Sequence, residues 1–145
     1  MKVFFASIAA AALLGIGGCA TMLPNQVPTD ARMSGTWVPV TAELGGKKYE
    51  FVKDFRLQVD GDRFVAKGGT QRDVGKLMFF GGEPRGVDVV GEEGPNTGQR
   101  LPAIYRFAAN GDMEICYDLS RTARPAEFVS RPDTRLFRIT YRKAG

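Results

Sequence analysis

Between residues 34 and 143, apolar and polar residues alternate in short runs bounded by Gly, Asn, Asp or Pro. That is the pattern of half-buried antiparallel strands joined by tight turns. In residues 55–59, Phe55, Leu57 and Val59 share one face, and Arg56 and Gln58 the other. Asp60-Gly61 supplies a pair suited to a two-residue hairpin turn into residues 63–66, and Asn110-Gly111 joins residues 103–107 to residues 113–117 in the same way. The last run, residues 136–142, alternates Phe137, Ile139 and Tyr141 with Arg138, Thr140 and Arg142, and is expected to close the sheet against a first strand over residues 35–44. Runs at residues 74–80 and 87–90 bring the count to about eight strands. A barrel of that size is either just filled by side chains or holds one small ligand. The expected fold is all-β, an antiparallel up-and-down barrel, with helix confined to a turn or two at residues 49–54 and 122–128.

Residues 1–18 follow a different pattern. Lys2 precedes an apolar run over residues 3–16, and Gly17 and Gly18 stand before Cys19, which is the anatomy of a secretory signal. The run is too short for the roughly 20 residues a bilayer span requires. Residues 20–33, with Pro24, Asn25, Pro28, Thr29 and Asp30, lack periodicity and read as a tether, so the folded domain is expected over residues 34–143. The sequence Ile16-Gly17-Gly18-Cys19 resembles the lipobox of bacterial lipoproteins. That resemblance implies cleavage before Cys19, acylation of Cys19 and a permanent membrane anchor. Ala20 stands where an Asp would favour retention in the inner membrane, so the implied location is the outer membrane, facing the periplasm.

Composition narrows the chemistry. The chain has 145 residues, 20 Lys and Arg against 16 Asp and Glu, and a formal net charge of +4. Removing residues 1–18 takes away Lys2 and no acid, leaving about +3. Positive and negative residues are interspersed, with no run that would track a phosphate backbone, so nucleic acid is not an expected partner. With Cys19 consumed by lipid, Cys116 is the sole thiol and no internal disulfide is available; in its strand-like setting it reads as a small buried hydrophobe. There is no histidine. This removes the commonest general base, the hydrolytic triads built on it and the commonest zinc ligand. Asp60 and Asp62 are too few for calcium. The glycines of residues 81–98 lack the ending of a phosphate loop and read as hairpin loops. No catalytic residue, metal site or cofactor is expected.

Gly35-Thr36-Trp37 resembles the Gly-x-Trp signature that opens the first strand of lipocalins. Residues 34–143 are similar throughout to a small, uncharacterised lipocalin-like domain family first catalogued from planctomycete genomes. The similarity is carried by Gly45-Gly46-Lys47, Asp60-Gly61-Asp62-Arg63-Phe64, Pro84-Arg85-Gly86-Val87-Asp88, Ala103-Ile104-Tyr105, Ile115-Cys116-Tyr117 and Arg124-Pro125-Ala126-Glu127-Phe128. Ala103 replaces a usual Gly, and Ala126 a common Thr. The resemblance implies a barrel and supplies no reaction. It also implies that Trp37 closes the barrel floor beneath an arginine of the last strand, Arg142 or alternatively Arg138.

Two groups of residues are candidates for a site. Phe55, Leu57, Phe64, Tyr105, Phe107, Ile115, Tyr117 and Phe137 are the inward-facing residues that would line a ligand cavity. Arg124, Glu127 and Phe128, a charged pair beside an aromatic, could recognise an anionic or polar ligand at a barrel mouth, but an Arg124–Glu127 clamp that pins the loop before the last strand, with Pro125 as a structural residue of the same segment, is the favoured reading. Gly35, Trp37, Cys116 and Arg142 complete the structural set. The expected role is a non-enzymatic envelope lipoprotein whose barrel binds a small apolar or amphipathic molecule. The alternative is a protein-interaction module, an envelope inhibitor or assembly accessory, acting through the barrel surface. Large residues at every inward position would fill the barrel and favour the second; a mixture of large and small leaves a cavity and favours the first.

Overall fold

The structure is a computed structural model that describes residues 23–145; the signal segment, Cys19 and Ala20 lie outside the described residues. In chain order the strands are β1 (Gln26–Val27), β2 (Gly35–Leu44), β3 (Lys47–Lys48), β4 (Arg56–Asp60), β5 (Arg63–Gly68), β6 (Gln71–Phe80), β7 (Arg85–Glu93), β8 (Arg100–Phe107), β9 (Met113–Asp118) and β10 (Leu136–Lys143). Strands β2 and β4 to β10 pair antiparallel, each with its successor, and β10 returns to β2 to close an eight-stranded barrel. Closure leaves no long open edge. Strand β1 pairs with the end of β6, where Phe79 and Phe80 run beyond β5, and β3 adds two residues to β2.

Alternation sets the core. Leu57 and Val59 of β4, Phe64 of β5, Tyr105 of β8, Met113 and Ile115 of β9, and Ile139 and Tyr141 of β10 all belong to one buried cluster. Two irregularities break the alternation. In the β2–β10 pair, Thr140 faces Thr41 and Tyr141 faces Pro39, so Val40 is an extra residue. Pro39 has no N–H to give to a ladder, which suits it to such a bulge. The bulge shifts the parity of β2, and Trp37 and Ala42, five residues apart, both reach the core. In the β6–β7 pair, Val74 faces Glu93 and Gly75 faces Gly91, leaving Glu92 as the extra residue.

One end of the barrel is sealed by residues expected to be tether. Asp30 caps a 3-10 turn, Ala31–Met33, whose Met33 is buried against Trp37. The indole Nε1 of Trp37 donates to the Met33 carbonyl at 2.8 Å. Residues expected to be tether therefore pack against the barrel: Gln26 and Val27 pair with β6, and Asp30 and Met33 make contacts that a tether would not.

The cation above Trp37 also differs from expectation. Lys143 lies over the ring with Nζ 5.1 Å from its centroid, whereas Arg142 is exposed and bonds Asp112 at 3.1 and 3.2 Å. Arg138 pairs with Glu114. Strand parity is the reason: Tyr141 points inward, so Arg142 points outward and Lys143 inward again. Gly35, at φ 137°, makes room for this arrangement, since a Cβ there would lie 2.8 Å from Lys143 Cε. The first hairpin turn is also displaced by one residue. Asp60 and Arg63 are partners, so Gly61 and Asp62 form the turn, with Gly61 at φ 62°.

Residues 119–135, between β9 and β10, strap the outside of the barrel. Arg124 donates to Asp88 Oδ1 at 2.7 Å and to the Ala103 carbonyl at 3.1 Å, and its guanidinium sits 4.5 Å from the Phe80 ring centroid. Asp88 is buried and takes a second bond from Arg100 Nε at 2.6 Å. The expected Arg124–Glu127 clamp does not form: Glu127 is exposed and pairs with Arg131 at 3.5 Å. Phe128 instead lies beneath the Arg106 guanidinium, 4.0 Å from its ring. The strap follows an irregular path with no helix at residues 122–128, and residues 49–54 form no helix either.

Candidate functional site: a one-ended apolar cavity

Opposite the sealed floor the barrel opens into a cavity of about 750 Å³. That volume falls within the range of small-molecule pockets, about 300 to 1,000 Å³. Strands of mixed inward residues create it. Ala66 on β5 and Val89 on β7 leave space that Phe64, Ile115 and Tyr117 do not fill, while Gly68 lets Val52 and Phe55 close against β5. Of the eight residues expected to line a cavity, Phe55, Leu57, Phe64, Ile115, Tyr117 and Phe137 do so. Tyr105 and Phe107 do not. They lie at the sealed end, where Tyr105 packs edge-on against Phe79 at 6.1 Å and against Phe107 at 5.9 Å, and Phe107 packs against Trp37 at 6.2 Å. Both point inward, as alternation requires, but at the level already filled by Trp37 and Met33.

The mouth is framed by the segment between β3 and β4. Phe51 lies tilted against Phe55 with centroids 4.5 Å apart and stacks with Phe137 at 6.0 Å, while Tyr49 meets Phe51 and Phe137 edge-on at 5.0 Å. Val52 is exposed at this rim. Tyr49, Phe51 and Val52 were not among the expected lining residues, because they lie in a loop and carry no period-two signal; their density of apolar side chains between Lys48 and Asp54 was the available clue.

Tyr117, Tyr141 and Asp73 are among the polar side chains that accompany this apolar lining. The phenols of Tyr117 and Tyr141 both have pKa values pushed up by burial first, and the Asp73 charge raises Tyr117 further. Asp73, on the inner face of β6 opposite Ala66, accepts at Oδ2 from Asn96 Nδ2 at 2.5 Å. Its Oδ1 is buried without a hydrogen-bond partner. The loop that carries Asn96 is held close by Gly91, where a Cβ would lie 2.0 Å from the Asn96 carbonyl oxygen.

The remaining expected residues lie away from the cavity. Cys116 is buried on the outer face, its thiol donating to the Val129 carbonyl at 3.3 Å, and burial pushes its pKa up. A thiol so placed is a packing group and a poor nucleophile. Arg124, Pro125, Glu127 and Phe128 belong to the outer strap and do not converge on the mouth.

The chain matches no protein-family model, no curated protein and no solved structure.

Proposed function

We propose that this chain is a bacterial envelope lipoprotein of the lipocalin-like kind, anchored through acylated Cys19 to the periplasmic face of the outer membrane, whose barrel binds a small apolar or amphipathic molecule without transforming it. The one-ended cavity of about 750 Å³ carries the binding reading. An apolar body entering it exchanges water for aliphatic and aromatic side chains, a gain of about 25 cal/mol per Å² of apolar surface covered. The chemistry of the lining supports binding over catalysis. The sequence contains no histidine, and the Cys116 thiol sits outside the barrel beneath the strap. The signal anatomy of residues 1–18 supports export and anchoring.

Native mass spectrometry of the protein purified gently from its own membrane tests this reading. A defined small-molecule adduct is the expected result. An empty barrel with a co-purifying protein would replace it with a role as an interaction module acting through the barrel surface.

A further inference from the structure

Glu50 and Asp73 are the charged residues lining the cavity, and no lysine or arginine joins them. Glu50 is solvated at the rim and paired with Lys48 at 3.0 Å. Asp73 is different. Its Oδ2 is taken by Asn96, its Oδ1 is buried and unpartnered, and among the described residues no cation pairs with it. Its neighbour Arg72 is spent on Glu93 at 3.2 Å. An ionised carboxylate can only accept hydrogen bonds, and a buried polar atom left without a donor is a rare feature that calls for a partner.

Resting on the ligand-binding reading above, we propose that the cavity selects an amphiphile with a cationic, hydrogen-bond-donating head, a primary ammonium on an apolar body, and seats that head on Asp73 Oδ1. Such a head supplies the donor that Oδ1 lacks, and its charge meets carboxylates alone. The apolar body then extends toward Ile115 and Leu57. A fatty-acid carboxylate in the same pose would face Asp73 with like charge and would bring no donor.

The test uses the chain from residue 19 onward carrying Cys19→Ser, which contains every strand of the barrel and its floor and needs no detergent. The fluorophore N-phenyl-1-naphthylamine fills the cavity, and decylamine, 1-decanol and decanoate are titrated against it. Decylamine should displace the probe at a concentration at least about tenfold below that of decanoate. Asp73→Asn should erase this preference while the probe still fills the cavity, which reports that the variant cavity is intact. Glu50→Gln should preserve the preference. Decanoate equal to or better than decylamine, a preference that survives Asp73→Asn, or one lost in Glu50→Gln overturns the assignment to Asp73 and leaves ligand binding standing. If neither the probe nor any of the three compounds binds, the ligand-binding reading falls and this inference with it.

Discussion

Tyr105 donates its phenolic hydrogen to the Asp30 carboxylate at 2.9 Å, tying the inner end of β8 to a residue 75 positions earlier. The same carboxylate accepts from the Arg32 backbone at 3.1 Å and from the Arg32 guanidinium at 3.0 and 2.6 Å. Arg32 in turn lies 4.6 Å from the Phe107 ring centroid. One acid thus holds the floor segment against the barrel.

The Arg32 hydrogen bonds, opposed by burial and assisted by Tyr105, hold Asp30 at about 2, below its ordinary 3.8. A carboxyl with a lowered folded-state pKa adds stability that is full above the unfolded value and is lost as pH falls through the folded one, here roughly 2 kcal/mol disappearing between about pH 5 and pH 2. Urea unfolding across that range should show Asp30→Asn losing less stability on acidification than the parent chain. Equal acid sensitivity in the two would exclude Asp30 as the source. Tyr105→Phe should cost about 1.5 kcal/mol at neutral pH, the low end for a bond to a charged group, because Arg32 remains.

Trp37→Ala should cost roughly 3 to 5 kcal/mol, as removal of a fully buried indole does. A double-mutant cycle should couple Trp37 to Lys143 by about 0.5 to 1 kcal/mol. The parallel cycle with Arg142 should be additive, since Arg142 is spent on Asp112. Coupling to Arg142 in place of Lys143 would contradict the parity of β10.

Arg124→Ala should destabilise by about 2 to 3 kcal/mol, because the buried Asp88 carboxylate keeps Arg100 alone. Glu127→Ala should stay within about 0.5 kcal/mol, as exposed pairs do. The strap also covers Cys116, so a thiol reagent that leaves the parent chain unmodified should label Cys116 in Arg124→Ala. No gain of labelling would mean that the strap is held elsewhere.

Cys19→Ala should abolish incorporation of a palmitate analogue and leave an unprocessed precursor. Labelling that persists, or cleavage at another position, would overturn the proposed anchor.

What the sequence by itself determined is the architecture. Period-two alternation in residues 55–59 and 136–142, the short β-forming run at 103–107, and Asn110-Gly111 and a glycine at 61 between runs specify an up-and-down barrel closed by its first and last strands. Alternation is a local property of the pleat, so it can be read without knowing any neighbour. It also placed six of the eight inward residues on the cavity wall. What only the tertiary structure decided is level, partner and parity. Tyr105 and Phe107 point inward like Ile115, but depth along the barrel axis depends on the stagger of all eight strands, and theirs falls at the filled floor. The bulge at Val40, which lets Trp37 and Ala42 share one face, exists only in the pairing with β10. Arg124 finds Asp88 and not Glu127 because the strap lies across β7 and β8, a path set by packing between distant segments. Asp73 immediately precedes the apolar run at residues 74–80, and nothing in the sequence marks it for a role. Its vacant oxygen became visible only when closure of the barrel turned that face inward and brought Asn96 across to occupy the other.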